Sequence, residues 1–493
     1  MLPPGGRVMI APSADRTLDR APPVDGRGVE ALLDRFFRFE LGERLFDRRF
    51  CGIALWQQIR LPIFVKLCTT QGFFHNSPVL PKPSLSQRDR RRLLTRFNPL
   101  LAPRRASIVV IESPTLYRRG SGTIDIYTEP VIAQLGHVDI ERVDMSGGPL
   151  EAIPGVRHAS ALAIDTIRVR ASRFYARLFR RRFTAGEEAE ALRRLDARLA
   201  EEFAVPRAAS SIALGTLVHF LAGRIAWRCY FALRRPRLVI LGVQAYGFEG
   251  LISAAQRYGA RVVELQHGAI YPGHLGYHLP APGPLNPHVD ALLTFGRIWH
   301  GAVQFATELH RATIGFPYLQ EALAAHAPVI AAKRPQIAVL SCDPFQGEPL
   351  LDAVGSLGTA SPLPIVIRPH PSDPFDYGAG VPPRLHGRVR VASPSEPVHR
   401  LLAESEYAVC GPSTTLFEAL AFSCRTVGLP LAFRSVFEPL LAGTGARIAA
   451  APSDAGEALR AAGPPGDMSA WFEPRPPALR DLLDQLFPGL LAG

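Results

Sequence analysis

Lysine is almost missing from this chain: of its 56 basic side chains only Lys66, Lys82 and Lys333 are lysine. The arginine bias is read as genome composition rather than as a functional signal. Cysteine is also scarce. The six cysteines, Cys51, Cys68, Cys229, Cys342, Cys410 and Cys424, form no CxxC pair and no zinc-finger spacing. That excludes a zinc-ribbon or disulfide-framework protein and leaves buried thiols in a reducing compartment. No run of about 18 uncharged apolar residues is present. The nearest, Ile212 to Leu233, is broken by His219, Arg224 and Arg228, so it reads as a buried or amphipathic helix. Pro3, Pro4, Asp15, Arg16 and Asp19 interrupt any apolar signal core. The expectation is a cytoplasmic protein, with peripheral docking on the inner membrane face as the alternative to a free one.

What is present is a chain able to bury a large core. It has 493 residues, 47% hydrophobic and 20% charged, with a net charge of +12. Two to four domains are expected at ordinary domain sizes. The positive surplus favours anionic partners such as phosphorylated ligands, anionic lipid or acidic glycans. A nucleic-acid binder has only this charge in its favour, because no finger, RNP-like or helix-turn-helix signature accompanies it.

Residues 1–28 are rich in Pro, Gly, Arg and Asp and read as disordered; residues 29–70 read as helices. Residues 76–106 read as a loop around one short basic helix, Arg88, Arg90, Arg91 and Arg92. Ser107–Ile111 is a short apolar run typical of a buried parallel strand. A Gly-containing loop from Arg118 to Asp125, a helix near Tyr127–Leu135 and a strand at His137–Val143 follow. Residues 160–202 read as helical, with Arg168, Arg170, Arg173, Arg177, Arg180, Arg181 and Arg182 in the first part. Leu and Phe between those arginines suit an interfacial helix as well as a solvated one.

From Leu238 onward, short apolar strands alternate with helices, the pattern of βαβ units on a parallel sheet. The series closes at Gly315-Phe316-Pro317 and reopens at Pro335. The expected division is therefore an N-terminal domain over 29–325 and a C-terminal domain over 326–493. Ligand is expected in the cleft between them.

Three segments carry chemistry. The first is Cys410-Gly411-Pro412-Ser413-Thr414-Thr415-Leu416-Phe417-Glu418, where a strand turns into a helix. Free N–H groups and the helix dipole bind phosphate there, and Ser413, Thr414 and Thr415 add hydroxyls. Taken alone, the segment reads as a Ser/Thr cap; with the other two segments, phosphate binding is favoured. The second is Arg368-Pro369-His370-Pro371-Ser372, in which two prolines fix the backbone around His370 and Arg368 brings charge for phosphate. The third is Gln266-His267-Gly268-Ala269, running on to His274, Tyr277 and His278. Gly268 permits close backbone approach. The histidine spacing matches no zinc motif, so no metal is expected.

Together these segments resemble glycosyltransferases of the GT-B type, in particular capsule and lipopolysaccharide enzymes. Kdo and sialic acid transferases carry similar HP and Ser/Thr motifs. The CDP-glycerol polymerases of teichoic acid synthesis are similar too. The resemblance covers roughly 237–430, with weaker support over 107–143. It implies an α/β GT-B fold, two facing Rossmann-like domains with a deep cleft and extra N-terminal helices. It implies transfer of a sugar from a nucleotide-sugar donor to a surface polysaccharide or lipid-linked acceptor, without metal or other cofactor. The chain has no Asp-x-Asp triad, which accords with that.

By position, the resemblance assigns Arg368, His370, Ser413, Thr414 and Thr415 to donor phosphate and Glu418 to the ribose or sugar. Gln266, Gly268, His274 and Tyr277 would line the acceptor side of the cleft. For the catalytic base the candidates are Asp125, then His267, then Glu249. Asp125 serves equally well as a helix-start carboxylate. Glycerol phosphate transfer from a CDP donor, a GT-B-fold sugar-nucleotide epimerase, and a non-catalytic assembly subunit stand as alternatives.

Overall fold

The computed structural model describes residues 26–73, 86–101, 104–113, 117–119, 122–136, 138–145, 152–242, 247–341, 347–370, 373, 375–393, 395–411, 413–429 and 434–491. Most of the disordered N-terminus expected over 1–28 lies outside them, as do Pro371, Ser372 and Pro412 of the motifs.

The apolar runs form two parallel sheets. The first holds β1 (Ile108–Ile111), β4 (Ile140–Asp144), β5 (Arg157–Ser160), β6 (Leu238–Leu241), β7 (Arg261–Leu265), β8 (Ala291–Thr294) and β9 (His310–Thr313), in the order β5-β4-β1-β6-β7-β8-β9. The strands β2 (Tyr117–Arg119) and β3 (Gly122–Ile124) form a separate antiparallel hairpin. The second sheet holds β10 (Arg334–Leu340), β11 (Ile365–Arg368), β12 (Val389–Val391), β13 (Ser405–Cys410), β14 (Arg425–Gly428) and β15 (Arg447–Ile448), in the order β12-β11-β10-β13-β14-β15. β1 and β6 are buried at every position, which explains why these strands read as unbroken apolar runs. This is the two-domain α/β architecture that the GT-B resemblance implied.

In each sheet the chain starts at an inner strand, moves outward one way, then crosses back to the other side. The reversals fall between β1 and β6 and between β10 and β13. Open α/β sheets bind ligands outside the carboxyl ends of the strands at such points.

Three departures from the sequence reading have clear causes. The Arg118–Asp125 loop is instead the β2–β3 hairpin, too short for an apolar alternation to announce it. β5, residues Arg157–Ser160 with only its last two positions buried, was masked by its polar side chains. The last helix, Leu479–Leu486, does not stay with the second domain. Its Leu479, Leu482 and Leu483 enter the apolar layer made by Ile108, Val131, Leu238 and Leu293 under the first sheet. The expected 326–493 block therefore gives its tail back to the first domain. Glu473 N–H donates to Phe295 O at 2.9 Å, and Trp299 Nε1 donates to Trp471 O at 3.0 Å, fixing the return.

The N-terminal helices α1 (Gly26–Gly42) and α2 (Trp56–Thr70) join the largest apolar cluster through Phe36, Trp56, Ile59 and Phe64. The basic helix expected after residue 76 is α3 (Gln87–Thr95). α4 (Thr128–Leu135) follows the hairpin, and α5 (Leu162–Ala185), α6 (Glu187–Phe203) and α7 (Ser210–Arg234) fill the long helical insertion. α8 (Glu249–Arg257) links β6 to β7. Among the described residues no helix is long and apolar enough to cross a membrane.

Candidate active site

The His-Gly loop leaves the end of β7. Its shape is set from beneath by Gln266, which is buried. The Gln266 side chain donates to Gly268 O at 2.7 Å and accepts from Phe295 N–H at 2.8 Å. Both ends of the amide are thus spent inside the protein, and Gln266 shapes the loop rather than lining the cleft. Next to it, the His267 side chain keeps 23% exposure. Burial pushes its pKa down to about 4, so the imidazole is neutral at pH 7. Its Nδ1 lies 3.3 Å from the Tyr277 hydroxyl, which in turn lies 2.5 Å from Glu264 Oε1. The His274 ring stands 5.6 Å from that of His267 and 4.5 Å from that of Tyr277. Burial holds His274 down to about 3. Four side chains from one loop and one strand end thus form a compact polar–aromatic nest.

A second support comes from α1 and α2, far away in sequence. Arg60 and Glu40 are 2% and 0% exposed and form a bidentate pair, with Nη2–Oε2 and Nε–Oε1 both at 2.7 Å. Arg60 Nη1 also donates to the carbonyls of Leu275 and His278, each at 2.7 Å. Gln57 and Asn286 exchange two hydrogen bonds, at 2.9 and 3.2 Å. The N-terminal helices therefore clamp the far side of the His267–His278 loop. Composition gave no sign of Arg60, because a single arginine in a helical stretch resembles any surface arginine.

Asp125 is fully buried and sits at the reversal between β1 and β6. Its carboxylate accepts from the N–H groups of Ser113 at 2.6 Å, Tyr127 at 2.9 Å and Thr128 at 3.2 Å. Burial raises its pKa while these donors oppose the rise. This is the helix-start role, at the beginning of α4. A Cβ on Gly242 would fall 2.7 Å from Thr128 Cγ2 and 3.2 Å from Asp125 Oδ2, so only glycine fits beside it. Asp125 still bears on the site: it fixes Tyr127, whose hydroxyl donates to His267 O at 2.7 Å. Glu249 starts α8, where its Oε2 accepts from Gly247 N–H at 3.1 Å. Burial pushes its carboxyl up to about 7. It lines a small cavity with Gln57, Arg60, Leu275 and His288.

In the second domain β10, β11 and β13 are neighbours in register, with Leu340 opposite Arg368 and Cys410. Ser341, His370 and Ser413 therefore follow adjacent strand ends. Arg368 Nε donates to Glu396 O at 3.0 Å, and His370 O accepts from Asp373 N–H at 2.9 Å. Ser413 has extended backbone and caps the helix Thr414–Ala421, its Oγ accepting from Thr415 N–H at 3.2 Å. Glu418, assigned to a ribose by the resemblance, pairs with His399 Nε2 at 3.1 Å. His399 stacks on Phe422, with ring centroids 5.1 Å apart. His399 lies outside every motif, so only the fold could bring it here. Among the described residues no group of three or more His, Cys, Asp or Glu side chains is placed to hold a metal ion.

The His-Gly loop and the Ser/Thr helix start touch directly. Ala269 N–H donates to Thr414 Oγ1 at 2.8 Å, and a Cβ on Gly268 would lie 3.2 Å from that oxygen. The glycine lets the His-Gly loop rest directly on the start of the Ser/Thr helix. Tyr271 against Phe437 at 5.1 Å and Trp299 against Phe417 at 5.1 Å continue the contact on either side.

No family model matches the chain, and none of the curated proteins matches it. Solved structures do. A UDP-GlcNAc 2-epimerase from Methanocaldococcus jannaschii is 9% identical with a TM-score of 0.43, over 77% of this chain and 98% of that one. The wall teichoic acid polymerase TagF is 9% identical with a TM-score of 0.38, over 82% and 93%. MurG from Acinetobacter baumannii is 13% identical with a TM-score of 0.34, over 54% and 78%.

Proposed function

We propose that this chain is a metal-independent glycosyltransferase that moves a sugar from a nucleotide-sugar donor to a surface polysaccharide or lipid-linked glycan. The observation that carries the reading is the hydrogen bond from Ala269 N–H to Thr414 Oγ1. It joins a neutral, partly exposed histidine of one domain to the capped helix start of the other, at the carboxyl ends of both sheets. That is where a phosphate-bearing donor and a base have to meet. In this reading Ser413, Thr415, Arg368 and His370 face the donor phosphates. His267 is the base, because its side chain keeps 23% exposure, whereas Asp125 is enclosed by three N–H donors and Glu249 is engaged at the start of α8 by Gly247 N–H.

The test is a thermal-shift screen with CMP, CDP, UDP, GDP and TDP. A nucleotide at a hundredfold excess over its Kd stabilises the folded state by about 2.7 kcal/mol. Ser413→Ala should abolish that shift while costing only about 1 kcal/mol through the lost cap. If no nucleotide shifts the transition, the reading falls and a non-catalytic role takes its place. Stabilisation by CDP with turnover of CDP-glycerol would replace sugar transfer by glycerol phosphate transfer.

The acceptor side of the proposal includes an anionic membrane surface. On α5, Phe174 and Leu178 are 63% and 56% exposed, one helical turn apart. Exposed Arg170, Arg173, Arg177, Arg180 and Arg181 surround them. An apolar stripe flanked by arginine is the pattern of an interfacial helix. Co-sedimentation with phosphatidylserine-containing vesicles, lost in Phe174→Asp/Leu178→Asp, is the expected result. Equal recovery with and without vesicles would remove the membrane from the proposal.

A further inference from the structure

Beside His267 stand two buried groups: Glu264, which no motif singled out, and Tyr277, which the resemblance placed on the acceptor side of the cleft. Glu264 is an inner residue of β7, fully buried between apolar neighbours Val263 and Leu265. A carboxyl in that position is costly unless it is bonded. Tyr277 is also buried, and its hydroxyl meets Glu264 Oε1 at 2.5 Å and His267 Nδ1 at 3.3 Å. Glu264 Oε1 itself lies 3.9 Å from Nδ1. A phenol has one hydrogen to give. Donated to the carboxylate, it leaves the phenol oxygen only able to accept, so the hydrogen between Tyr277 and His267 must sit on Nδ1. The other ring nitrogen, Nε2, then carries the lone pair.

We propose that Glu264 and Tyr277 are positioning residues that hold His267 as its Nδ1–H tautomer, so that Nε2 is the atom that takes the acceptor proton. The inference rests on the reading of His267 as base. In the step, the acceptor O–H breaks and Nε2–H forms. The acceptor oxygen bonds to the sugar carbon as the bond from that carbon to the nucleotide phosphate breaks, and the nucleotide leaves with the electron pair. Glu264 offsets the positive charge that His267 gains, acting through the phenol. A carboxylate that fixes a histidine's tautomer and balances its charge is a known division of labour in proton transfer; here a tyrosine stands between the two. Tyr127, donating to His267 O, and the His274 ring hold the rest of the residue.

The experiment is nitrogen-15 NMR of the full chain labelled at histidine, with His267→Gln used to assign the signal. The expected wild-type pattern is one protonated nitrogen at Nδ1 and one lone-pair nitrogen at Nε2. Tyr277→Phe and the isosteric Glu264→Gln should each bring in the Nε2–H form. With any nucleotide sugar that the wild type turns over, Tyr277→Phe should lower kcat by about 10²-fold with KM little changed, the low end of what a positioned base contributes. A wild-type His267 protonated at Nε2, or a tautomer unmoved in both variants, overturns the proposal, and the wild-type signal decides even if a variant does not fold. The same nucleotide screen separates the two readings. Nucleotide binding with the wrong tautomer removes the relay alone. No nucleotide binding with the right tautomer removes the transferase reading and leaves the hydrogen-bond chain as structure.

Discussion

Removing the guanidinium of Arg60 tests whether the N-terminal helices hold the His267 loop. Arg60→Ala strands the fully buried Glu40 carboxylate, which loses two 2.7 Å hydrogen bonds, and leaves the carbonyls of Leu275 and His278 without their shared donor. Trp56 Nε1, at 2.8 Å from Glu40 Oε1, is the donor that stays. Breaking one side of a buried ion pair costs about 3–5 kcal/mol. The orphaned carbonyls fall within that range rather than adding to it, because relaxation and water entry reach all of these groups together. A chain of two domains need not unfold in one step. The suitable assay is therefore guanidinium denaturation combined with hydrogen exchange read by mass spectrometry. Peptides spanning 267–279 should exchange faster in Arg60→Ala, while those from β10 and β13 stay protected. The double variant Arg60→Met/Glu40→Leu should recover much of the global loss, since apolar residues replace a buried pair at little cost. It should not restore protection in 267–279, where the carbonyls still lack Arg60. A loss below about 1 kcal/mol, the level of an exposed pair, with unchanged exchange in the loop, would refute the clamp.

Thr414→Val keeps the shape of the helix start and deletes the oxygen that accepts from Ala269 N–H. It should cost about 1–3 kcal/mol, visible as faster exchange at Ala269; protection equal to wild type would remove the contact from the interdomain account. Glu249 gives a pH signature. Its folded pKa of about 7 lies above the ordinary 4.5, so the folded state binds the proton more tightly. Stability contributed there is full below pH 4.5 and falls as pH rises toward 7, by up to about 3 kcal/mol. Glu249→Gln should flatten that part of the stability curve, and a curve of the same slope would show that the carboxyl titrates normally. His274 acts with the opposite sign. Its pKa, depressed to about 3, makes stability fall as pH drops below 6.5, and His274→Phe should shift the acid midpoint of a circular dichroism titration to lower pH.

The strands of both sheets were legible because a parallel strand buried on both faces has to be apolar throughout, as Leu238–Leu241 and Ile365–Ile367 are. The Ser413 cap was legible because serine before a helical run has a local cause. Asp125 shows the limit of position. Its place in a Gly-containing loop suited a base and a helix-start carboxylate equally, and the three N–H donors that give it the second role come from Ser113, Tyr127 and Thr128. Glu418 shows another: sequence gave its turn on the helix but not His399, which arrives from the helix Val398–Glu404. Glu264 read as one more residue in a strand, because the burial that makes it informative depends on which loop folds over it. Residues that act through a neighbour leave no spacing pattern, so tertiary structure was needed to find Arg60, Glu264 and Tyr127.

The hydroxyl of Thr414 has one further property. Accepting from Ala269 uses one lone pair and leaves its hydrogen to be given away. A phosphate seated on the Ser413 turn could take that hydrogen, and the same oxygen would then be tied to both domains and to the ligand. Binding would then reinforce the Ala269–Thr414 contact between the domains. Exchange protection at Ala269, compared with and without nucleotide, would report whether the site is filled.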